Sequence, residues 1–311
     1  MSLKIVFFGT PSFAIPTLEA LLQGPDEVVA AVTQPDRGKG RGQKVVSSAI
    51  KELILQHRVP ILQPERVKED TFQERVKSFQ PDLFVVVAYG QILPKPLLLI
   101  PKNGAINVHA SLLPKFRGAA PIAWAILKGE KVTGVTTMLM DEGMDTGDIL
   151  LQREIAIKEK ETGETLNEKL APLGARLLME TLEKMKKGDL RPIPQDHSQA
   201  TYAPLMKKQE GHIDWSKGAQ EIDRQVRGLS PWPGAFTTLD GRFLKICKGE
   251  VREGGSQGKG GAVVWEGSDF IEVGTGKDLF IIREVQPEGK RRMSVRDFLS
   301  GHSIPVGTVF E

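Results

Sequence analysis

Short apolar runs recur through the first part of the chain, each closed by a glycine or a polar loop. Residues 3–8 (LKIVFF) stop at Gly9, residues 27–33 form a second run, 82–88 (DLFVVVA) a third and 104–108 a fourth, with a shorter one at 60–62. Runs without polar alternation predict strands buried on both faces. Between them the apolar spacing widens to the helical period. It does so over 15–22 with Pro16 in the first turn, from a cap at Ser47 and Ser48 to about His57, over 65–79 and over 119–127. A longer helix is predicted over 165–187, with Leu166, Leu170, Leu173, Leu177 and Leu178 on one face and a kink at Pro172. Strands alternating with helices predict a doubly wound, mostly parallel sheet, an α/β Rossmann-like architecture. Residues 133–140 and 149–157 read as a strand pair around the loop DEGMDTGD.

The pattern then changes. Residues 188–209 (GDLRPIPQDHSQATYAPLMKKQ) hold three prolines and little periodicity, so they read as a connector. A short helix over 221–227 ends before PWPGA at 231–235. Beyond 237 the runs RFLKI, AVVW, FIEV and LFIIREV alternate and are separated by glycine turns. That spacing predicts a small antiparallel barrel or sandwich. GGSQGKGG at 254–261 reads as a mobile hairpin tip. The expected division is a catalytic α/β domain over 1–188, a connector over 189–209 and a β domain over 210–311.

Composition adds boundaries to this picture. A chain of 311 residues exceeds one ordinary core, so two domains are expected. No apolar run approaches the ~20 residues of a membrane helix, and the opening MSLKIVFFGTPSF runs straight into a glycine turn, as a first strand does and a leader does not. A single cysteine, Cys247, permits no intramolecular disulfide and no cysteine-based metal site, which fits a reduced, cytoplasmic setting. The net charge of +3 is too small to argue for nucleic acid by itself. Any basic patch must be local, and the loop 34–44 (QPDRGKGRGQK) supplies one, with Arg37, Lys39, Arg41 and Lys44 against Asp36.

Ligands of such sheets bind beyond the carboxyl ends of the strands. Thr10, Tyr89, His109 and the loop 34–44 all fall there. The first turn reads GTPSFA where a dinucleotide fingerprint needs GxGxxG, and GKGRGQK does not match a P-loop, so NAD and ATP are disfavoured. Asp141, Glu142, Asp145 and Asp148 lack the spacing of an EF-hand loop, and no metal is expected. Asn107 and His109 lie two residues apart at a strand end, so both side chains point to one side. Asp145 follows at the centre of the later loop. An amide and an imidazole can donate to a carbonyl oxygen as it becomes negative, and a carboxylate can hold the imidazole's charge or relay protons. Ser111 lies nearby without a GxSxG elbow, which favours direct acyl transfer to an amine over a covalent intermediate. A histidine, an asparagine and an aspartate in such places also serve as ordinary loop residues. Their expected convergence on one crevice weighs toward the catalytic reading and leaves the others open.

NVHASLLPKFRGAAPI followed by TGVTTMLMDEGMDTGDI resembles the signature of the 10-formyltetrahydrofolate-dependent formyltransferases. The resemblance implies that Asn107, His109 and Asp145 are the catalytic trio. It also implies that the folate cosubstrate lies along Ser111, Leu112, Leu113 and Pro114 and against the segment holding Val87, Tyr89, Gln91 and Ile92. Within that family FFGTPSFA, TQPDRGKGRGQK, VVVAYGQILP, IDWSKGAQEI, VRGLSPWPGA and GKRRMSVRDFL are most similar to the methionyl-tRNA formyltransferase group, and the likeness covers essentially the whole chain. For that group an OB-like second domain and an initiator methionyl-tRNA substrate are expected; separately, the chain is expected to be a monomer. The acceptor end of the tRNA would meet Arg37, Lys39, Arg41 and Lys44. Lys290, Arg291, Arg292 and Arg296 form a further basic cluster. Two other readings remain: a formyltransferase acting on an amino sugar nucleotide, which would not need the basic loop, and a tRNA-binding protein with an idle formyl site.

Overall fold

The computed structural model describes residues 2–39, 44–254 and 260–311. The chain divides into two compact units. The first comprises Met1–Pro121, Val132–Ala156 and Asn167–Pro204, and the second Ile122–Lys131, Ile157–Leu166 and Leu205–Glu311.

In chain order the elements are β1 (Lys4–Gly9), α1 (Ile15–Gln23), β2 (Glu27–Val32), β3 (Arg37–Lys39), β4 (Lys44–Val46), α2 (Ala49–Ile54), β5 (Ile61–Leu62) and α3 (Asp70–Ser78). They continue with β6 (Leu83–Val87), α4 (Lys95–Leu98), β7 (Ala105–His109), α5 (Pro121–Leu127), β8 (Val132–Leu139), β9 (Ile149–Ala156) and α6 (Gly163–Lys187). The main sheet has the order β5-β2-β1-β6-β7-β8-β9. Its first five strands are parallel, and β8 and β9 run antiparallel to their neighbours. The unbroken apolar runs are its centre: β6 and β7 are buried at every position, and β1 at all but its first. Phe8, Phe84 and Tyr89 pack ring against ring in one of the cores. Burying each such side chain contributes about 1.5–3 kcal/mol, which outweighs the weak local preferences of so short a strand.

Some elements depart from the sequence pattern. The helix expected over 65–79 begins only at Asp70. The Gln91 side chain takes the preceding backbone instead, accepting from Val67 N–H at 3.1 Å and donating to the Glu65 carbonyl at 3.3 Å. Those peptide groups are satisfied without a helical turn. The basic loop contains a short antiparallel pair, β3 and β4. The long helix starts at Gly163, two residues ahead of its expected start, and contains Pro172. Residues 189–204 belong to the first unit and bond across it. Ile193 exchanges backbone bonds with Ile149 at 2.8 and 2.9 Å, and Arg117 exchanges them with Thr201 and Ala203 at 2.8 and 2.7 Å.

In the second unit, α7 (Ala219–Gly228) precedes β10 (Ala235–Leu239), β11 (Arg242–Arg252), β12 (Val263–Glu266), β13 (Ile271–Gly274), β14 (Leu279–Pro287), β15 (Met293–Ser294) and α8 (Val295–Leu299). The sheet is antiparallel throughout, in the order β10-β11-β14-β13-β12 with β15 beside β14. The chain's last residues join its two edges. Glu311 exchanges two backbone bonds with Thr238 of β10, while Val263 donates to Thr308 and Phe310 to Gly261 on the β12 side. This closure makes the sheet an OB-like barrel, with the 308–311 segment pairing both edges. Trp215, Phe280 and Phe310 fill it together with Ile222 and Val226 of α7. Residues 255–259 of the expected hairpin tip lie outside the described residues.

Gly134 sits where β8 meets β9. A β-carbon there would come within 2.2 Å of the Arg153 carbonyl oxygen and 2.6 Å of Leu112. Backbone cannot yield as a flexible side chain does, so Gly134→Ala is expected to destabilise the protein by about 1–3 kcal/mol, read as a lower urea midpoint.

Candidate active site

The site is built where β7 ends and the chain turns back across the sheet. Asn107 and His109 are both buried and on one side of β7, as their spacing predicts. Asp145 faces them from the loop between β8 and β9. Its Oδ1 accepts from Asn107 Nδ2 at 3.4 Å, and its Oδ2 lies 3.7 Å from His109 Nδ1. The same Oδ2 accepts from the Gly118 backbone N–H at 2.7 Å. The structure therefore brings the three residues together.

The histidine's orientation is fixed. Its Nε2 lies 2.9 Å from the carbonyl oxygen of Phe116. A carbonyl only accepts, so Nε2 carries hydrogen and Nδ1 is the nitrogen facing Asp145. At 3.7 Å the Nδ1–Asp145 contact is electrostatic rather than a hydrogen bond, so a proton on Nδ1 stays available to a third group.

Asp145 and Phe116 hold φ values of +55° and +60°, and Gly118 +121°. Residues with a β-carbon rarely adopt such angles without outside support. Much of that support comes from residues the sequence reading passed over. Gln195 donates through Nε2 to the carbonyls of Asp145 (2.9 Å) and Gly147 (2.7 Å). Its Oε1 accepts from Arg117 Nε and Nη2 at 3.1 and 2.7 Å. Arg117 is itself buried. Arg117 stands in the quoted FRGAAP run and could have been suspected there. Gln195 sits in a proline-bearing stretch with no pattern to mark it.

The segment expected along the folate leaves β7 beside the segment leaving β6, its hydrogen-bonded neighbour. Ser111 is fully buried, and its hydroxyl donates to the Lys115 carbonyl at 2.6 Å, a scaffold role rather than a nucleophile's. Leu113 is buried, with its N–H on Thr136 Oγ1 at 3.1 Å and its carbonyl on Gln152 Nε2 at 2.8 Å. Leu112 and Pro114 are half-buried. Across from them Ala88 and Gly90 turn the chain at positive φ, and Ile92 projects with 82% of its surface exposed. The side chains of Tyr89 and Val87 are buried. The Tyr89 carbonyl accepts from Thr10 Oγ1 at 2.9 Å and from Gln34 Nε2 at 3.2 Å. Burial raises the Tyr89 hydroxyl's pKa, and no donor or acceptor among the described residues meets it. Gln91 is engaged with residues 65–67, as described above, and reaches Gln34 Oε1 at 3.4 Å.

Of the basic residues, Arg37 is exposed at the start of the β3–β4 pair, which sets Lys39 opposite Lys44 in register. Arg41 lies outside the described residues. The base of this pair is anchored: Asp36 is held by Lys51 and by Gln63, whose Nε2 also donates to the Gln34 carbonyl at 3.0 Å.

The formyl transferase family matches residues 3–182, and its C-terminal domain matches 205–303. The chain belongs to the formyl transferase family. Over its whole length it is 51% identical to the methionyl-tRNA formyltransferase of Desulfotalea psychrophila, covering 96% of that protein. It is 52% identical to that of Caldanaerobacter subterraneus, over 99% of this chain and 100% of the relative. Among solved structures, the sugar 3N-formyl transferase WlaRD, studied with dTDP and 5-N-formyl-THF, has the same fold. Its TM-score is 0.69 at 20% identity, over 94% of this chain and 100% of that one. Asn107, His109, Asp145 and Arg117 fall within the formyl transferase match, whereas Gln195 lies between the two matched regions.

The Asp36 carboxyl is held below its ordinary value of 3.8 chiefly by the hydrogen bond from Lys51, with a second from Gln63. A depressed carboxyl stabilises the fold above its unfolded value, and that contribution fades as pH falls through the folded value. Asp36→Asn should therefore lower the urea midpoint at neutral pH, and the difference from wild type should shrink as the pH is taken below 3.8.

Proposed function

We propose that this protein transfers the formyl group of 10-formyltetrahydrofolate to the free amino group of methionine on initiator methionyl-tRNA. One observation carries the chemistry. An amide donor, an imidazole with one nitrogen already committed and a carboxylate converge beside β7, the imidazole and the carboxylate each held by a backbone group. The acceptor assignment is supported by full-length identity of about half to proteins named methionyl-tRNA formyltransferase, and by the anchored basic hairpin that follows β2.

The donor set fits a formyl carbonyl. The Asn107 amide has a second N–H besides the one on Asp145, and His109 Nδ1 can present a proton; both serve an oxygen that becomes negative as the carbonyl carbon turns tetrahedral. Transfer forms a carbon–nitrogen bond to the methionine amine and breaks the one to the folate nitrogen. The amine loses a proton and the leaving nitrogen gains one. Asp145 accepts the first, directly or through a water, and with His109 returns one to the leaving nitrogen. The Ser111 hydroxyl, bonded to its own loop, takes no part. The Leu112, Pro114 and Ile92 surfaces and the turn at 88–90 offer the apolar and peptide groups that a flat, polar-edged pterin needs.

Arg37, Lys39, Arg41 and Lys44 meet the phosphates near the tRNA acceptor end, where a glycine-rich backbone approaches closely. We take the protein to work as a cytoplasmic monomer.

Alanine at Asn107, His109 or Asp145 is expected to lower turnover by about a hundredfold or more while tRNA affinity stays near wild type. A folded His109→Ala protein that kept full formylation would leave the site idle and the protein a tRNA binder. Offered methionyl-tRNA and a dTDP-amino sugar with the same donor, the protein should formylate only the first; the reverse would make it a sugar enzyme. Arg41→Ala should raise the KM for methionyl-tRNA and flatten its dependence on salt. Unchanged kinetics on tRNA would remove the hairpin from substrate binding.

A further inference from the structure

We infer that Gln195, backed by Arg117, is a positioning residue for Asp145, so that the stretch between the two matched family regions completes the active site. This rests on the catalytic reading of Asn107, His109 and Asp145.

Three adjacent residues each secure part of the trio. The Phe116 carbonyl takes His109 Nε2–H at 2.9 Å, and the Gly118 N–H holds the Asp145 carboxylate at 2.7 Å. Between them, Arg117 sends its side chain to Gln195, which holds the Asp145 main chain from behind at 2.9 Å. The arrangement forms a ring: Gly118 to the Asp145 carboxylate, Asp145 through its carbonyl to Gln195, Gln195 through Arg117 back to the residue beside Gly118. The carboxylate is thus fixed at both its tip and its root.

The connector residues also grip this segment directly. Phe116 N–H donates to Thr201 Oγ1 at 2.9 Å, and Arg117 pairs with Thr201 and Ala203 through backbone. A β-carbon on Gly118 would come within 2.7 Å of the Ala203 carbonyl. Gln195 uses both amide hydrogens on carbonyls of the 145–147 turn, while its oxygen takes two guanidinium donors. An amide is the side chain that satisfies this pattern, since it alone offers two donors and an acceptor in one plane. Glutamate there would keep the arginine but set an oxygen against two carbonyls.

The amide is buried and its donors and acceptor are spent on these partners, so its effect must pass through Asp145. Displacing a catalytic group by about 1 Å costs on the order of a hundredfold in rate. Gln195→Glu and Gln195→Ala, each checked by circular dichroism and thermal melting, should lower kcat by about 10–100-fold with KM for methionyl-tRNA and for 10-formyltetrahydrofolate nearly unchanged. The same substitutions made in an Asp145→Asn protein should add little further loss, because groups that act as a unit are not additive. Arg117→Lys keeps the charge and loses the fork, so it should give a smaller kcat defect of the same kind, and it carries the test should neither Gln195 variant fold. Wild-type kcat in a folded Gln195→Glu protein, or a full multiplicative loss in the Asp145→Asn background, would overturn the inference. Wild-type kcat in Asp145→Asn itself would instead overturn the catalytic reading on which it rests.

Discussion

The 2.7 Å hydrogen bond from the Gly118 N–H to the Asp145 carboxylate is the constraint on which the site depends. It joins the loop leaving the last parallel strand to the loop between the two antiparallel ones. Without it the Asp145 carboxylate would have one long bond to Asn107 and a contact with His109 beyond hydrogen-bond length. A charge-assisted bond to a backbone donor is short and directional, and it costs no side-chain entropy at the donor. Both ends adopt left-handed backbone angles, so the bond also selects the conformations that make it.

The sheet explains why these loops meet. Strands β5, β2, β1, β6 and β7 run one way, and their carboxyl ends open on a common side. β8 then returns antiparallel against β7, with Asn107 paired to Met138 and His109 to Thr136. The loop after β8 leaves beside the start of β7, where Met140 N–H donates to the Ala105 carbonyl at 2.8 Å, and Asp145 reaches from it to Asn107 and His109. Gly147 lets that turn close: a β-carbon there would lie 1.7 Å from the Leu139 carbonyl oxygen. Thr136 performs a parallel task beneath the expected folate segment. It is fully buried, donating to the Ser111 carbonyl at 2.7 Å and accepting from Leu113 N–H at 3.1 Å. Leaving such groups unpaired in the interior would cost about 1–3 kcal/mol each, so the loop has little freedom to wander.

Much of this was legible in the residues. Continuous apolar runs located β1, β2, β6 and β7, because burial on both faces leaves no room for polar residues. The two-residue spacing of Asn107 and His109 put them on one face for the same geometric reason. What escaped notice was set by tertiary partners. Gln91 removed one turn and more from the helix expected over 65–79 by bonding its backbone, and no local preference encodes that. The β3–β4 pair sits within a glycine-rich loop whose composition argues against strands. Gln195 gave no signal because its two carbonyl partners lie about fifty positions away. The barrel's closure depends on residues 308–311, which look like an ordinary tail.

One question left by the geometry is why the chain interposes Gln195 between Arg117 and the Asp145 turn. A guanidinium placed directly on the Asp145 carboxylate would give a stronger bond, bidentate and charge-assisted. It would also occupy the carboxylate's remaining lone pairs and oppose its taking a proton, the task the transfer reaction sets it. Through the amide, Arg117 reaches the turn by way of the backbone carbonyl and leaves the acidic oxygens to Gly118, Asn107 and the substrates. Burying a guanidinium against neutral partners is costly, since desolvation is offset by two bonds to an amide oxygen and one to His197 Nδ1 at 3.2 Å rather than by a countercharge. That cost is reasonable only where an ion pair would disable the group being held, and here the held group is the carboxylate at the centre of the site.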